Sequence, residues 1–463
     1  MTAVDKRKSR WLSPAARRKI RRALVGGVIA VPVLGGATFY AANHVPWFGA
    51  WLADTLRSVI GTEAVADLEE FAYDLEDRYN RTFRSGEKPK AYWEAPSSTG
   101  AGQSNGAGSA PSGSVPVGGA PTGSATGTRP EPSASAGAVA GRPPFPPEDV
   151  GPFDPKYAAA GDGVWVPVPV PDVSAPAGSD SAGAPSPAPG STAAAGPNNA
   201  VGAGEKATSN SQPLFYKTLI HPDSKRPWAD VLAVAMNPKT ALLHLVAGTR
   251  EPRGTASGSA ELKRTGLIPD TDVASLMAAW NGGFKEEHGH YGMKLDGVLV
   301  VRPRADACTI AMSPDDTLRI APWKAVSDIE GTFRWWRQTP SCLVDGGKLH
   351  PALFDENTHW GAAIGGGTVV RRSALGLSQD GGVLYMVVSN STSPRALALA
   401  MQHLRAYSAA QLDINYSYPR YVLFPKGESG QREATSLFEG FKVDKDDYLR
   451  APNPRDFFYV TRR

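Results

Sequence analysis

The chain is 463 residues long and carries 49 Lys and Arg against 45 Asp and Glu, a formal net charge of +4 at pH 7. Nine basic residues and one acid fall within residues 1–22, so this tail contributes +8 and the rest of the chain sums to −4. A nucleic-acid-binding body needs basic residues on its own folded face, and this distribution excludes one.

The first predicted element is a membrane span over residues 23–43. These 21 residues contain no charged side chain, and a helix needs roughly 20 apolar residues to cross the hydrocarbon layer. The basic residues before the span keep the N-terminal tail in the cytoplasm and send the rest of the chain to the periplasm or the cell exterior. Aromatic residues that suit the outer interface follow at Trp47, Phe48 and Trp51. A cleaved signal peptide and a buried helix of a soluble domain are the alternatives.

A predicted amphipathic helix follows over residues 54–90. Its apolar and aromatic residues recur at helical spacing with charged residues between them. They are Leu68, Phe71, Leu75, Tyr79 and Phe83. Such a helix could pair with a second copy, lie on a membrane surface or form a solvated stalk, and the sequence leaves these three open, and with them the oligomeric state.

Residues 95–212 have the composition of a disordered linker. They hold 20 Gly and 20 Pro, and they have few large apolar side chains. Such a stretch cannot bury enough surface to offset the entropy of ordering, so we expect a tether. Residues 161–172 interrupt it, because four valines there alternate with Trp165 and three prolines. This pattern predicts an edge strand docked on the C-terminal domain through Trp165, or else a stiff Pro-rich spacer.

Residues 213–463 are predicted to form one packed domain of the α+β class, with a mainly β core and a few helices. Short apolar runs recur with turn residues between them, which predicts many strands. Two helices are predicted, over 272–279 and over 394–410, the second with Pro394 in its first turn and Ser393 as its cap. We therefore expect one transmembrane helix and a disordered linker to precede this domain.

The domain contains the chain's two cysteines, Cys308 and Cys342. Outside the cytoplasm they could pair and stabilise the fold by about a few kcal/mol. Two free buried thiols are the alternative, because sequence does not show whether the Cα atoms come close enough.

The segment NGGFKEEHGHYG concentrates groups that can bind a ligand. Gly282 and Gly283 permit close approach of the backbone to a ligand, and Asn281 can present its amide there. His288 and His290 could both reach one ligand. A metal at this pair needs further ligands that the local sequence does not supply, so a hydrogen-bonding role toward a substrate is favoured. An ordinary polar loop is the alternative.

Two more segments carry candidate site residues. The sequence RRSALGLSQDGGVLYMVVSNS predicts a hairpin through its Asp-Gly-Gly turn, entered by Arg372. An arginine at the start of a strand can bind a phosphate or carboxylate through two hydrogen bonds, although a surface arginine at a strand end is the commoner case. Farther along, a helix leads into a short strand that ends near Asp413, which favours a carboxylate pointing into a cleft over a helix-capping role.

These three segments, in this order, resemble the phosphodiester glycosidase domain family. The family motifs read like NGGFF, R-T-A-I-G and LDGGGS, and the resemblance covers roughly residues 213–425. The matching positions are Asn281, Gly282, Gly283 and Phe284, then Arg372, Ala374 and Gly376, then Leu412, Asp413 and Ser417. Ile414, Asn415 and Tyr416 stand where the family has a glycine triplet, so the backbone nest that such a triplet offers to a phosphate is absent.

The resemblance implies an outward-facing hydrolase that cleaves a sugar-1-phosphodiester, or a related glycosidic bond, in a cell-envelope glycoconjugate. It requires a carboxylate at the anomeric carbon and groups that hold the sugar and phosphate. We expect neither a cofactor nor a metal. The catalytic candidates are Asp413, Glu286 and His288, and the substrate-binding candidates are Asn281, Gly282, Gly283, Arg372, Asn415 and His290. A catalytically inactive glycan-binding domain and a structural envelope protein are the alternative functions.

Overall fold

The computed structural model of the chain describes residues 78–84, 145–169, 213–355, 357–361, 369–414 and 418–463, with single residues at 86, 89, 91 and 93. The basic tail, the predicted membrane span, most of the predicted amphipathic helix and most of the low-complexity stretch lie outside these residues. Within the described part of the chain, no helix has the length and apolarity to cross a membrane.

Strands dominate the described residues. They are β1 (Val166–Val168), β2 (Phe215–Ile220), β3 (Val231–Met236), β4 (Ala241–Val246), β5 (Leu276–Asn281), β6 (Met293–Leu295), β7 (Val298–Val301), β8 (Cys308–Met312), β9 (Leu318–Pro322), β10 (Trp335–Thr339), β11 (Val344–Asp345), β12 (Lys348–Leu349), β13 (Val370–Leu377), β14 (Leu384–Thr392), β15 (Ser408–Ile414), β16 (Tyr421–Leu423), β17 (Thr435–Ser436) and β18 (Phe457–Arg462).

Helices are few and short. The α-helices are α1 (Ala352–Asp355) and α2 (Pro394–His403), and residues 78–83 are also helical. Short 3-10 helices occupy Pro155–Tyr157, Ser259–Glu261, Asp270–Ser275, Trp323–Ala325, Ser327–Thr332 and Asn357–Trp360. The prediction of a mainly β core with a few helices is therefore confirmed.

The strands form three sheets. An eight-stranded sheet has the order β1-β2-β3-β14-β13-β15-β11-β12, and two five-stranded sheets have the orders β7-β6-β10-β8-β9 and β17-β16-β5-β18-β4. The central strands of the large sheet are buried on both faces. In β3, Leu232 and Val234 belong to the core shared with the smaller sheets, whereas Val231 and Ala233 belong to the core beneath α2. A strand buried on both faces becomes continuously apolar instead of alternating.

One of the two helix predictions is confirmed at its start and one is wrong. Helix α2 begins at Pro394, and the Ser393 side chain accepts a hydrogen bond from the Ala396 amide, as a capping serine does. The helix ends at His403, and β15 takes over the last residues of the predicted range. Residues 272–279 are instead half 3-10 turn and half β5, because β5 pairs with β16 and β18 in the middle of a sheet and this pairing overrides local helix propensity.

The segment 145–169 is packed against the domain. Val166–Val168 pair with β2 as an edge strand, and the Trp165 side chain beside them is 7% exposed. Phe145 packs edge-on against Tyr216 of β2, with ring centroids 5.5 Å apart. This segment therefore forms part of the folded body even though the residues around it in sequence are rich in Gly, Pro and Ser.

An aromatic contact also joins the N-terminal side of the chain to β2. The Lys217 ammonium lies 4.5 Å from the ring centroid of Trp93, and Trp93 packs against the main apolar core. Lys217 and Tyr216 are consecutive residues of one strand, so their side chains point to opposite faces of the sheet. Trp93 and Phe145 therefore contact neighbouring positions of the same strand.

Cys308 and Cys342 form a disulfide, with their Cα atoms 4.7 Å apart. Both side chains are buried, and the bond joins the start of β8 to the chain just before β11. Of the two possibilities that the sequence leaves open, pairing is the one found.

We predict that the double substitution Cys308→Ser and Cys342→Ser lowers the free energy of unfolding by about 2–4 kcal/mol, because the disulfide restricts the unfolded chain over a separation of 34 residues. Denaturant unfolding with and without a thiol reductant measures the effect. Reductant should destabilise the wild type and leave the double variant unchanged. A wild type that unfolds at the same denaturant concentration in both conditions would contradict the prediction.

Candidate functional site

A narrow cleft, too tight in this conformation to hold a free water molecule, lies where β5 and β15 end and β18 begins. The residues that line it are Asn281, Gly282, Gly283, Asp413, Tyr418, Tyr448, Asn453, Arg455 and Asp456. Two of the three sequence motifs, NGG and L-D, therefore meet in one place. They come from different sheets, and the Asp413 amide bridges them by donating to the Gly282 carbonyl at 3.0 Å.

Asp413 is a carboxylate held away from water. It is 4% exposed, and its Oδ2 accepts a hydrogen bond from Nη2 of Arg455. Burial raises the pKa of Asp413 to about 6, with the negative charge of Asp456 acting in the same direction and Arg455 opposing it. A carboxyl group with a pKa near neutrality can both take up and release a proton under ordinary conditions.

Arg455 is the cationic side chain of the cleft. Its guanidinium carbon lies 4.5 Å from the ring centroid of Tyr418, and the residue is 6% exposed. Its Nε is buried and has no hydrogen-bond partner among the described residues. A buried donor without an acceptor costs free energy, and such donors are uncommon in folded proteins. An acceptor atom of a bound molecule would satisfy this N–H group.

A buried ion pair supports the glycines of the cleft. Asp456 Oδ2 accepts hydrogen bonds at 2.9 Å from Nε of Arg337 and from the Gly283 amide, and neither charged side chain is exposed. A Cβ atom on Gly282 would lie 2.3 Å from Asp456 Oδ2, and one on Gly283 would lie 2.8 Å from the Arg337 guanidinium carbon. Side chains are excluded at both positions because the backbone packs directly on this ion pair.

Asn281 lines the cleft, but its amide bonds to the protein. Its Nδ2 donates to Ser373 Oγ at 2.9 Å, and its Oδ1 accepts from Ser373 Oγ at 3.1 Å and from the Arg420 amide at 3.3 Å. Ser373 also donates to the Asp413 carbonyl at 3.3 Å. Asn281 is thus bound into the frame that holds Asp413.

Arg372 is not among the residues that line the cleft. It is completely buried, and its guanidinium donates to the carbonyls of Trp360, Gly361 and Thr392 and to the side chain of Gln411. Burial lowers the pKa of Arg372 to about 9. The neighbouring Ser373 reaches Asn281, and successive side chains of a strand point to opposite faces, which accounts for the different position of Arg372.

The histidine-containing loop after the glycines lies at the protein surface. Glu286 is buried and its Oε1 pairs with Nδ1 of His290, whose side chain is 69% exposed. The His288 side chain is 44% exposed and lies 3.7 Å from Glu287. None of these side chains lines the cleft, although the charge of Lys285 in the same loop acts on Asp413. Asn415 lies outside the described residues. Across the described part of the chain, no group of three or more His, Cys, Asp or Glu side chains is placed to hold a metal ion.

Arg455, Asp456 and Arg337 have no counterpart in the sequence predictions. Arg455 and Asp413 are 42 residues apart, and Arg337 and Asp456 are 119 apart, so local spacing gives no sign of either contact. The available signal is the adjacent Arg455-Asp456 pair immediately before the apolar run of β18. Charged residues just before a buried strand are well placed to point into a cleft at that edge of the sheet.

Comparisons with known proteins find only distant structural similarity. No family model matches the chain, and no curated protein matches it. Among solved structures, the catalytic domain of zebrafish N-acetylglucosamine-1-phosphodiester alpha-N-acetylglucosaminidase, auto-inhibited by its pro-peptide, is 17% identical, with 55% of this chain and 86% of that chain covered and a TM-score of 0.35.

Two further solved structures are similar at lower identity. A hypothetical protein from Synechocystis is 13% identical over 51% of this chain and 59% of that chain, with a TM-score of 0.29. A putative exported protein from Burkholderia pseudomallei is 11% identical over 50% of this chain and 74% of that chain, with a TM-score of 0.24. At these identities and TM-scores the similarity carries no conclusion about the family of this chain.

We predict that Asp413→Asn changes the free energy of unfolding more favourably at pH 8 than at pH 4. The pKa of Asp413 is raised from 3.8 to about 6. As pH rises from about 4 to about 6, the Asp413 carboxyl loses its proton in the unfolded chain before it does so in the folded protein. The free energy of unfolding of the wild type therefore falls as pH rises through this range. The change in free energy of unfolding caused by the substitution should be more favourable at pH 8 than at pH 4 by about 2 kcal/mol.

Urea unfolding of both proteins at the two pH values measures this difference. The matched control is Glu428→Gln, which removes an exposed carboxylate. An Asp413→Asn effect that is the same at pH 4 and pH 8 would show that Asp413 ionises in the folded state as it does in the unfolded chain.

Proposed function

We propose that the protein is a phosphodiester glycosidase-like hydrolase that cleaves a sugar-1-phosphodiester, or a related glycosidic bond, in a cell-envelope glycoconjugate. The observation that carries the proposal is the cleft itself. It places the buried Asp413 carboxyl beside the Arg455 guanidinium, whose Nε–H group has no partner among the described residues, and both lie next to the Asn281–Gly283 backbone. The resemblance of the three sequence motifs to the family supports the same activity.

Asp413 is the proposed catalytic carboxylate. Above about pH 6 its ionised form would accept a proton from a water molecule that attacks the anomeric carbon. The bond from that carbon to the phosphate oxygen breaks, and the phosphate departs with the bonding electrons. Because a phosphate is a weakly basic leaving group, the reaction does not need a strong general acid at the leaving oxygen.

Arg455 is the proposed phosphate contact, in the role that the sequence assigned to Arg372. One arm of the guanidinium orients Asp413 through Nη2, and the unpartnered Nε–H would donate to a phosphoryl oxygen of the substrate. The Tyr418 ring supports the guanidinium face at 4.5 Å. Glu286 and His288 remain proposed proton-transfer groups, and Gly282, Gly283 and His290 remain proposed substrate contacts.

We also propose that the domain works outside the cytoplasm, attached to the membrane through residues 23–43 with the N-terminus inside. The disulfide between Cys308 and Cys342 supports this location, because disulfides persist in oxidising compartments. A carbohydrate or glycophosphate of the envelope is the corresponding substrate.

We predict that the wild type releases sugar from at least one member of a panel of sugar-1-phosphodiesters and that Asp413→Asn lowers kcat by about 10²–10⁴-fold, the usual contribution of general acid–base catalysis. Product release measured from pH 4.5 to 8 should rise through about pH 6 in the wild type. Glu428→Gln is the control and should retain the wild-type rate. Equal rates for wild type and Asp413→Asn would remove Asp413 from the mechanism, and no release from any substrate would favour a glycan-binding role.

We predict that Arg455→Lys weakens the use of phosphodiester substrates more than that of uncharged aryl glycosides. Lysine keeps a positive charge beside Asp413 but lacks the second donor arm that the phosphate requires. The expected result is an increase in KM of about tenfold for the phosphodiester, which corresponds to about 1.4 kcal/mol of lost binding. An equal increase in KM for charged and uncharged substrates would show that Arg455 does not contact the phosphate.

A further inference from the structure

Asp456 is the second carboxylate of the cleft, and its position differs from that of Asp413. Its Oδ2 accepts hydrogen bonds from Arg337 Nε and the Gly283 amide, and its backbone carbonyl accepts from the Gly282 amide at 2.9 Å. The residue is 1% exposed. A carboxylate with this set of donors is bound by the protein and has no evident part in a reaction.

The contacts of Asp456 continue to Asp413 through the glycine backbone. The Asp456 side chain accepts from the Gly283 amide, and the carbonyl of the same peptide unit, that of Gly282, accepts the hydrogen bond from the Asp413 amide. A movement of Asp456 would therefore move the peptide to which Asp413 is bound. The absence of side chains at both glycines leaves the ion pair in direct contact with this peptide.

Charge provides a second connection between the two carboxylates. The groups that act on Asp413 are Arg455 and Asp456 from the segment before β18, Lys285 from the loop after β5, and the amide of Ile414. Of these, only Asp456 disfavours the ionised form of Asp413, in the same direction as burial. A nearby negative charge disfavours ionisation of a carboxyl group, so Asp456 acts on Asp413 in the same direction as burial.

We propose that Asp456 is a positioning residue for Asp413: its side chain fixes the Gly282–Gly283 peptide to which Asp413 is bound, and it brings a second negative charge into the same cleft. The catalytic meaning of this pairing rests on the proposed function. The pairing itself is a property of the folded protein and is measurable without a substrate.

The test is a titration of the Asp413 carboxyl by ¹³C NMR on the full chain labelled at aspartate, with the Asp413 signal assigned by its loss in Asp413→Asn. In Asp456→Asn, the midpoint for Asp413 should fall by about one pH unit, because the like charge is removed while Arg455 and Lys285 remain. If the Arg337–Asp456 pair only stabilises the fold, the Asp413 midpoint does not change. An unchanged midpoint in the folded variant would therefore overturn the proposal.

Asp456→Asn leaves Arg337 without its counterion and can therefore unfold the chain. The double variant Arg337→Gln with Asp456→Asn replaces the ion pair by two amides that can bond to each other. It should give a smaller downward shift of the Asp413 midpoint, because the positive charge of Arg337 is removed as well, and an unchanged midpoint in this variant would likewise overturn the proposal. If no sugar phosphodiester is hydrolysed, the proposed function fails, while the titration still decides whether Asp456 controls Asp413.

Discussion

The buried ion pair of Arg337 with Asp456 is the contact on which the geometry of the cleft depends. Arg337 lies on β10 of one five-stranded sheet, and Asp456 precedes β18 of the other, so the pair joins the two sheets. The Gly282–Gly283 backbone packs on it and in turn binds β15 of the large sheet through Asp413. Removing one partner of a buried pair typically costs about 3–5 kcal/mol, because the other charge stays buried.

The two carboxylates of the cleft show how position determines chemistry. Asp456 accepts hydrogen bonds from an arginine and a backbone amide, which fix its position. Asp413 is buried with Arg455 beside it and has a pKa of about 6. Burying the ionised form of Asp413 lowers the free energy of unfolding. Costs of this kind concentrate at functional sites, where a group is held in a state that a purely structural position would not select.

Local sequence patterns predicted much of the framework. Ser393 and Pro394 located the start of α2, and the Asp-Gly-Gly turn located the hairpin of β13 and β14, because capping and turn chemistry act within a few residues. The same reasoning failed for residues 272–279, where pairing with distant strands imposes the β conformation.

Local patterns also placed Arg372 in the cleft, although that side chain lies on the other face of β13 and binds buried carbonyls. Asn281 and Asp413 were brought together as expected, but their partners Arg455, Asp456 and Arg337 are contacts over long sequence separations that no local spacing encodes.

The most direct measurement is a crystal structure of the protein with a sugar 1-phosphate bound. The account predicts a phosphoryl oxygen within hydrogen-bond distance of Arg455 Nε, with the anomeric carbon facing the Asp413 carboxylate. A sugar phosphate bound elsewhere on the domain, or bound in the cleft with Arg455 Nε still without a partner, would contradict it.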